Sequence, residues 1–375
     1  MKIALIRQEY TPHGGAERFL SNMLQQLKSD DELSIHLIAR KWQKIDNIHF
    51  HCCNPFFIGR TWRDYSFSRQ AYAIIQKLDV DLIQSHERVP YCHLYRAGDG
   101  VHRVWLKHKN QLKPWFSKYL NYLSLYQLYI LHTEKKLFTN PQLRAVICNS
   151  KMVKNEIIHY FPDIKDKLHV IYNGVDTDYF HPKVRSERDL IRKNLNIPAT
   201  APVFLYVGAD FQRKGLLAAI TGLAHLNNDA RLVVIGGHGK RILKYQKVAQ
   251  RLQVSDRVIF LGSMQKLAPY YAMADTFVFP TLYDPFPNVA LEAMACGIPV
   301  ITSTHSGAAE IIEQGKHGYV CAPHDTQKLV EAMTALSSQS LAAEMGLHAR
   351  QLAEQFNSAK QTDQIAGLYK KLLTL

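Results

Sequence analysis

Two short stretches of the sequence join charged side chains to a backbone that is suited to binding anions. Residues 203–215, VFLYVGADFQRKG, place Arg213 and Lys214 directly before a glycine and a predicted helix. The planar fork of Arg and the compact charge of Lys both suit a diphosphate. Residues 274–297, ADTFVFPTLYDPFPNVALEAMACG, carry Asp284 shortly before a second predicted helix. The residue types therefore point to a site for a ligand that carries phosphate.

The elements around Asp284 are those that would position it beside such a ligand. Thr276 to Pro280 is a short apolar run that predicts a central parallel strand, and the proline ends it. Val289 to Cys296 predicts a helix, whose first turn has free backbone NH groups and the positive end of the helix dipole. Such a terminus binds anions, and ligands of open α/β sheets lie beyond the carboxyl ends of the strands. An ordinary βαβ unit with a solvated acid fits this stretch equally well.

A further candidate phosphate loop lies near the amino terminus. Lys2 to Arg7 predicts a strand, and Gly14 and Gly15 follow it before a predicted helix. Two glycines let the backbone approach a ligand closely, but a plain tight turn fits the pair about as well. The adjacent cations Arg213 and Lys214 likewise fit a solvated surface.

Length and composition bound the class of protein. The 375 residues are enough for two α/β domains, and no apolar run is long enough to span a bilayer. The opening MKIALIR predicts a strand rather than a signal peptide. Six cysteines at irregular spacing fit neither a disulfide framework nor a zinc pattern, so a reduced, cytoplasmic protein is expected. The formal net charge of +14 requires a polyanionic partner: nucleic acid, an anionic membrane face or phosphorylated substrates.

The segment from Arg103 to Thr133 contains five Lys or Arg residues and no acid, with aromatic residues between the cations. Basic residues next to interfacial aromatics are what an anionic membrane surface binds. Aromatics between lysines also stack on nucleobases, so a nucleic-acid partner is the alternative. Four tyrosines recur at helical spacing: Tyr119, Tyr122, Tyr126 and Tyr129. That spacing is at least as typical of packing within the protein as of lipid contact.

One acidic pair has a spacing that is known from metal sites. Asp176 and Asp178 form a DxD, and two carboxylates at this spacing can hold a divalent cation. A second DxD at Asp79 and Asp81 shows how easily the pattern arises. A structural role is therefore the more frequent one.

The pattern around Asp284 resembles the nucleotide-sugar site of retaining glycosyltransferases with the GT-B fold, the large family numbered four. The resemblance is carried by Asp284, seven intervening residues, Glu292, and then AMACGIPVI and SGAAEII. It implies an α/β fold of two Rossmann-like, doubly wound domains that face each other across a cleft. The acceptor-side domain would be residues 1–176, onto which a final helix of residues 358–375 crosses back. The nucleotide-sugar domain would be residues 177–357.

The resemblance also assigns roles to individual positions. Arg213 and Lys214 would stabilise the departing diphosphate, Asp284 would bind the sugar hydroxyls, and Glu292 would hold the ribose. The implied catalytic residues are Asp99, Arg213, Lys214 and Asp284. The implied donor-binding residues are Gly14, Gly15, Gly208, Phe260, Asn288, Val289, Ala290 and Glu292.

The sequence departs from the family pattern at three positions. The family usually has Glu where Asp284 stands, and it has an Arg where Ala209 follows the first glycine; Arg213 is the shifted counterpart. Many relatives carry a His that touches the donor sugar where this chain has Asp99, with His102 three residues further on. For Asp99 a helix-capping role is the alternative.

Within the family, the GxDFxRKG arrangement and the basic aromatic segment resemble members that glucosylate the lipopolysaccharide core. They imply a retaining hexosyltransferase that needs no metal or other cofactor, with the DxD at Asp176 in an interdomain hinge. The implied partners are a donor such as UDP-glucose, a lipopolysaccharide-core or other glycolipid acceptor, and the anionic inner face of the cell membrane, bound through residues 103–133; nucleic acid is not among them. The alternatives are a glycosyltransferase for another polysaccharide, a hydrolysing sugar-nucleotide 2-epimerase and, least favoured, a basic nucleic-acid-binding protein.

Overall fold

The computed structural model describes residues 2–8, 34–42, 48–111, 124–226 and 229–374. The chain divides into two compact units. The N-terminal unit comprises Met1–Tyr172 and Ala359–Leu375, and the C-terminal unit comprises Asn173–Ser358. The sequence predicts the first boundary between residues 176 and 177, slightly later in the chain.

The N-terminal unit is built on a seven-stranded sheet whose pairings are all parallel. Its strands are β1 (Lys2–Ile6), β2 (Ser34–Ala39), β3 (Ile48–Cys52), β4 (Leu82–Ser85), β5 (Leu94–Arg96), β6 (Ala145–Cys148) and β7 (Leu168–Val170). They lie side by side in the order β3-β2-β1-β4-β5-β6-β7. The described helices of this part are α1 (Gly59–Ile75), α2 (His102–Gln111), α3 (Leu125–Phe138) and α4 (Lys151–Tyr160), with a 3₁₀ turn at Pro162–Lys167.

The C-terminal unit contains a second parallel sheet, of six strands. The strands are β8 (Val203–Val207), β9 (Arg231–Ile235), β10 (Val258–Gly262), β11 (Thr276–Phe279), β12 (Val300–Ser303) and β13 (Gly318–Cys321), in the order β10-β9-β8-β11-β12-β13. The helices are α5 (Arg188–Asn194), α6 (Leu216–Ala224), α7 (Lys240–Arg251), α8 (Ala268–Met273), α9 (Asn288–Ala295), α10 (Thr326–Ala335) and α11 (Gln339–Glu354), with 3₁₀ turns at Pro182–Glu187 and Gly307–Glu310. A last helix, α12, spans Ser358–Leu373.

Both sheets have the doubly wound order that parallel strands with helical crossovers adopt. The strands are short apolar runs that are buried on both faces, as in β8 and β11, because helices cover both sides of a parallel sheet. This confirms the predicted α/β class with two Rossmann-like units. Among the described helices, none is long and apolar enough to cross a membrane.

Helix α12 completes the core of the N-terminal unit, although it comes from the other end of the chain. Its Ile365, Tyr369 and Leu372 are buried against β1 and β2. The hydroxyl of Tyr369 donates a hydrogen bond of 2.6 Å to Oε1 of Gln84 in β4. A buried hydroxyl that keeps a partner avoids the cost of desolvation, so this bond fixes how the helix sits on the sheet.

The amino end of β11 carries a buried ionic network around Asp275. Its carboxylate accepts hydrogen bonds from Arg188, from Arg192 Nη2 at 2.7 Å and from the backbone NH of Val203 at 2.8 Å. Arg192 is itself buried and donates to the carbonyl oxygens of Met273, Ala199 and Ala201. The network therefore ties α5 to the starts of β8 and β11.

Replacing Asp275 by Ala should lower the free energy of unfolding by about 3–5 kcal/mol, because it leaves Arg192 buried without its counter-charge. Urea unfolding followed by circular dichroism measures this loss. Asp79→Ala, which removes the exposed partner of Lys2, is the matched control and should leave the urea midpoint unchanged. Equal midpoints for the two variants would show that the Asp275 network does not stabilise the unit.

Candidate functional site

The carboxyl end of β8 runs into a tight loop that presents Arg213 and Lys214. Gly215 caps α6 with φ +78°, and a Cβ at this position would lie 1.9 Å from the carbonyl oxygen of Pro280. The carbonyl oxygen of Arg213 accepts from the backbone NH of Leu282 at 2.8 Å and from Oγ1 of Thr281 at 2.9 Å. The loop is thus held directly against the chain that leaves β11.

This contact brings the two cations to Asp284. Nη1 of Arg213 lies 3.7 Å, and Nζ of Lys214 4.0 Å, from Oδ2 of Asp284. The ammonium of Lys214 also lies 5.2 Å from the ring centroid of Phe279. Burial lowers the pKa of Lys214, while Asp284 acts in the opposite direction. Nε of Arg213 also lies 3.7 Å from Oδ2 of Asp210, whose side chain is 55% exposed, so two cations and two carboxylates meet in this cluster.

Asp284 and the start of α9 are held by hydrogen bonds of the backbone. The NH of Asp284 donates to the carbonyl oxygen of His305 at 3.0 Å, and the carbonyl oxygen of Asp284 accepts from Gly307 at 2.9 Å. The N-cap of α9 is Pro287, which has no side-chain acceptor for the first NH groups of the helix. Nδ2 of Asn173 donates to Oδ1 of Asn288 at 2.6 Å and to the carbonyl oxygen of Phe286 at 3.1 Å. The helix amino end therefore has a fixed position and a positive dipole end.

Glu292 lies one turn further into α9 and is buried. Oε2 of its carboxylate accepts a hydrogen bond of 3.0 Å from the hydroxyl of Tyr271 in α8. That hydroxyl also lies 3.2 Å from the carbonyl oxygen of Val289. A charged acceptor strengthens such a bond, so Tyr271 fixes the rotamer of Glu292.

Glycines line the carboxyl ends of β8 and β9. The NH of Gly208 donates to the carbonyl oxygen of Ile235 at 2.9 Å, and a Cβ on Gly236 would lie 2.3 Å from the carbonyl oxygen of Gly208. The backbone of Gly236 has φ +115°, where side chains are rarely tolerated. Phe260 lies inside β10, shortly before that strand ends at Gly262. A Cβ on Gly208 would lie 2.5 Å from Cδ of Lys214, so glycine at these positions lets the backbone and the Lys214 side chain pack closely at this edge of the sheet.

The predicted residues of the N-terminal unit differ in accessibility. Asp99 follows β5, its side chain is 73% exposed, and its carboxylate lies 4.0 Å from Nη1 of Arg88. His102 begins α2 and is buried, with its ring Nε2 bonded to Oε1 of Gln127. Burial lowers the pKa of His102, and the charge of Arg88 adds to this effect. Of these two residues, Asp99 is the one that is accessible to solvent.

Several predicted features lie outside the described residues. They are the loop with Gly14 and Gly15, and residues 112–123 of the predicted membrane segment, with Lys113, Trp115, Phe116 and Lys118 among them.

The DxD pair has a local structural role. Oδ1 of Asp176 accepts from the NH groups of Asp178 and Tyr179, which favours the structural interpretation. In the part of the chain that the structure describes, no three acidic, His or Cys side chains form a group that could hold a metal ion.

Two contacts of the site involve residues that sequence reasoning did not single out. Tyr271 comes from α8, and no spacing in the sequence connects it with Glu292. Asn173 lies three residues before Asp176, in the stretch expected to be an interdomain hinge, and nothing in the sequence indicated its hydrogen bond to Asn288 at the start of α9.

Two Rossmann-like units, with paired cations and a helix amino terminus at the carboxyl edge of the second sheet, define the class of GT-B glycosyltransferases. The sequence matches two family models of such enzymes: "Glycosyltransferase Family 4" over residues 13–179 and "Glycosyl transferases group 1" over residues 187–353. The chain belongs to the glycosyltransferases that join these two domains, and it is an enzyme.

Related proteins of known function align with different lengths of this chain. A D-inositol 3-phosphate glycosyltransferase from Xylanimonas cellulosilytica is 29% identical over 200 residues, which are 51% of this chain and 48% of the relative. The chain thus spans about half the length of that relative. An alpha-maltose-1-phosphate synthase from Mycolicibacterium smegmatis is 23% identical over 393 residues, with 99% of this chain and 100% of the relative covered.

Solved structures share the fold over the whole chain. The crystal structure of WaaG, a glycosyltransferase involved in lipopolysaccharide biosynthesis, has a TM-score of 0.85 at 19% identity and covers 98% of this chain and 99% of its own. Anabaena Alr3699/HepE in complex with UDP-glucose has a TM-score of 0.76 at 21% identity, with 99% and 100% covered. At these identities the likeness concerns the fold.

Replacing Gly215 by Ala should displace the loop of Arg213 and Lys214, because the new methyl group would overlap the carbonyl oxygen of Pro280. We expect UDP binding, measured by calorimetry, to weaken by about tenfold or more, which corresponds to about 1.4 kcal/mol. Gly315→Ala is the matched control, since Gly315 has nearly the same φ, +77°, but open space around its Cβ position. UDP binding by the Gly215 variant that equals that of the control would mean that the contact does not position the cations.

Proposed function

We propose that this enzyme transfers a hexose, with retention of the anomeric configuration, from UDP-glucose or a related donor to a membrane-associated acceptor, the lipopolysaccharide core. The observation that carries the proposal is the cluster of Arg213, Lys214 and Asp284 within 4.0 Å beside the amino end of α9. Its two cations suit the diphosphate that leaves when the sugar is transferred.

In this mechanism the chain stabilises the leaving group with preorganised charge. Lys214 and Arg213 take up the charge that develops on the diphosphate, and the NH groups of Asn288 and Val289 at the start of α9 bind its oxygens. The NH of Ala290, the third predicted donor, already donates to the carbonyl oxygen of Pro287 at 3.1 Å. Glycine backbone at Gly208 allows the phosphates to come close. No metal ion is required, because these groups already supply the positive charge. The acceptor hydroxyl would attack the anomeric carbon on the same face from which the diphosphate leaves, and the configuration would therefore be retained.

The remaining donor contacts follow from the chemistry of the sugar and the nucleoside. Asp284 accepts hydrogen bonds from sugar hydroxyls, and Glu292, whose rotamer Tyr271 fixes, accepts those of the ribose. Phe260 and the end of β10 receive the base. Asp99, together with Gly14 and Gly15, would serve the reacting sugar from the N-terminal unit.

The acceptor assignment has support of a different kind. WaaG, whose fold is similar, is described as acting in lipopolysaccharide biosynthesis, and the segment from Arg103 to Thr133 has the charge that an anionic membrane attracts. The protein would then be peripheral on the inner face of the cell membrane and would bind no nucleic acid. A second candidate, a small phosphorylated acceptor, is favoured by relatives named for D-inositol 3-phosphate and alpha-maltose-1-phosphate.

A panel of nucleotide sugars tests the donor and the acceptor together. We expect one UDP-hexose to be cleaved slowly in water, and much faster with lipopolysaccharide-core acceptor, also in the presence of EDTA. Acceleration by inositol phosphate instead would select the second candidate.

Other outcomes would contradict the proposal. A free epimerised sugar without any acceptor would indicate a 2-epimerase, and nucleic-acid binding without turnover would contradict the enzyme assignment. A rate that collapses with EDTA and returns with Mg²⁺ or Mn²⁺ would refute metal independence.

Lys214→Ala should lower turnover by two or more orders of magnitude, about 3 kcal/mol, because the leaving diphosphate loses a preorganised cation. Lys247→Ala, on the exposed face of α7, should retain wild-type turnover. In the wild type, kcat/KM should fall at a pH below the ordinary lysine range, since burial lowers the pKa of Lys214 and only the ammonium carries charge. A folded Lys214→Ala variant with nearly normal turnover would show that the leaving group sits elsewhere.

A further inference from the structure

Exposed apolar side chains are concentrated at one place in the N-terminal unit. Phe56 is 79% and Ile58 76% exposed, and Trp62 is half exposed in the first turn of α1. Leu125, in the first turn of α3, is 79% exposed. Single exposed hydrophobic residues need no explanation, whereas a contiguous group marks an interaction surface.

These residues belong to one surface because the first turns of α1 and α3 are in contact. The guanidinium of Arg60 lies 5.0 Å from the ring centroid of Tyr126, and the hydroxyl of Tyr126 donates to Asp64 at 3.2 Å. Leu125 precedes Tyr126 in the chain, so it lies beside the first turn of α1. We call this surface the docking patch; it consists of Phe56, Phe57, Ile58, Arg60, Trp62, Tyr65, Leu125 and Leu128.

The backbone of the docking patch is held in place from within the protein. Nε1 of Trp62 donates to the carbonyl oxygen of Phe56 at 3.1 Å. The guanidinium of the buried Arg40 lies 4.8 Å from the ring centroid of Phe57 and donates to the carbonyl oxygen of Pro55. An apolar loop that is braced in an exposed position loses little conformational entropy when it binds.

The charges around the docking patch specify its partner. The α1 helix carries Arg60, Arg63 and Arg69 but only one acid, Asp64, whose carboxylate already accepts from Arg63 at 2.9 Å. Phe and Ile side chains suit the acyl boundary, Trp and Tyr suit the headgroup level, and arginines suit lipid phosphates. A neutral apolar protein partner would gain nothing from these cations.

A polar cavity of about 320 Å³ lies next to the docking patch, because Tyr126, whose ring Arg60 of the patch contacts, lines it. Its lining includes Arg7, Arg63, Asp64, Arg88, Asp99 and Tyr126. The carboxylate of Asp99, the exposed member of the predicted site in this unit, therefore lies close to the same surface. A glycolipid held in the bilayer would have its sugar headgroup at the height of this cavity.

We infer that the docking patch inserts Phe56 and Ile58 into the headgroup boundary of an anionic bilayer and thereby brings the cavity at Asp99 to glycolipid headgroups. This inference rests on the membrane acceptor of the proposed function. It concerns a surface that shares Leu125 and Leu128 with the segment of residues 103–133 but contains none of that segment's five cations. Membrane binding by inserted apolar side chains persists at high salt, whereas salt screens the attraction between surface cations and anionic lipids. The contributions of the docking patch and of the basic segment can therefore be measured separately.

The test is co-flotation of the full chain with phosphatidylcholine vesicles, with or without phosphatidylglycerol, at low and high salt. The wild type should bind the anionic vesicles and keep part of that binding at high salt. The double variant Phe56→Ser with Ile58→Ser should bind about tenfold more weakly and lose the salt-resistant part. The control is Leu190→Ser with Leu347→Ser in the C-terminal unit, which removes two leucines of 61% and 68% exposure and should bind like the wild type.

A second measurement locates the insertion at the docking patch. Lipids with brominated acyl chains quench nearby tryptophan, and Trp105 and Trp115 belong to the basic segment. The measurement is therefore made at high salt, where Trp62→Phe should remove most of the quenchable fluorescence. Unchanged quenching in Trp62→Phe, or unchanged flotation of the double variant, would overturn the inference. A wild-type dimer that becomes monomeric in the double variant would also overturn it, in favour of an interface between copies. Donor cleavage in solution should be equal in wild type and double variant, so failure of the proposed donor chemistry is read separately from failure of membrane docking.

Discussion

The close contact between Gly215 and the carbonyl oxygen of Pro280 is the constraint on which the candidate site depends. Because no side chain stands between the loop after β8 and the chain leaving β11, cations from one meet the carboxylate of the other within 4.0 Å. Arg213 and Lys214 repel each other, and the carboxylates of Asp284 and of the more exposed Asp210 offset part of that repulsion. An anionic ligand offsets the rest, so the same arrangement that limits the stability of the empty unit favours binding.

A buried carboxylate lies beside two cations at each end of strand β11. The two ends differ in how closely the carboxylate and its cations approach each other. At its amino end, Asp275 accepts directly from Arg192 at 2.7 Å, and the charges are satisfied within the protein. At its carboxyl end, Asp284 lies 3.7 and 4.0 Å from its cations, which leaves their hydrogen-bonding capacity for another partner. The closely hydrogen-bonded ion pairs at the amino end stabilise the unit, whereas the more widely spaced pairs at the carboxyl end can bind a ligand. This agrees with the rule that ligands of parallel sheets lie at the carboxyl edge.

The sequence predicts the local elements of this site because each has a local cause. The apolar run before Pro280 and the short apolar segment before Gly297 are recognisable without knowledge of the fold, and β11 and α9 fall within a residue of the predicted bounds. That β8 pairs with β11 is a tertiary fact that no spacing reveals. His102 and Asp99 are three residues apart, yet one is buried and the other exposed, because Gln127 and Glu134 of α3 bond the first and not the second. Phe67 is buried while Phe56 is exposed, so composition alone could not locate the docking patch.

The place of α12 has a consequence for how the protein is made. Ile365 and Tyr369 fill the core of the N-terminal sheet, so that sheet lacks part of its cover until α12 has left the ribosome. The C-terminal unit, Asn173–Ser358, is synthesised completely before then. Domains usually mature in the order of their synthesis, but here the second unit can finish first. During that interval Leu5, Leu37 and the other residues that α12 covers stand open to water, and a chaperone that binds apolar strands would find its target there.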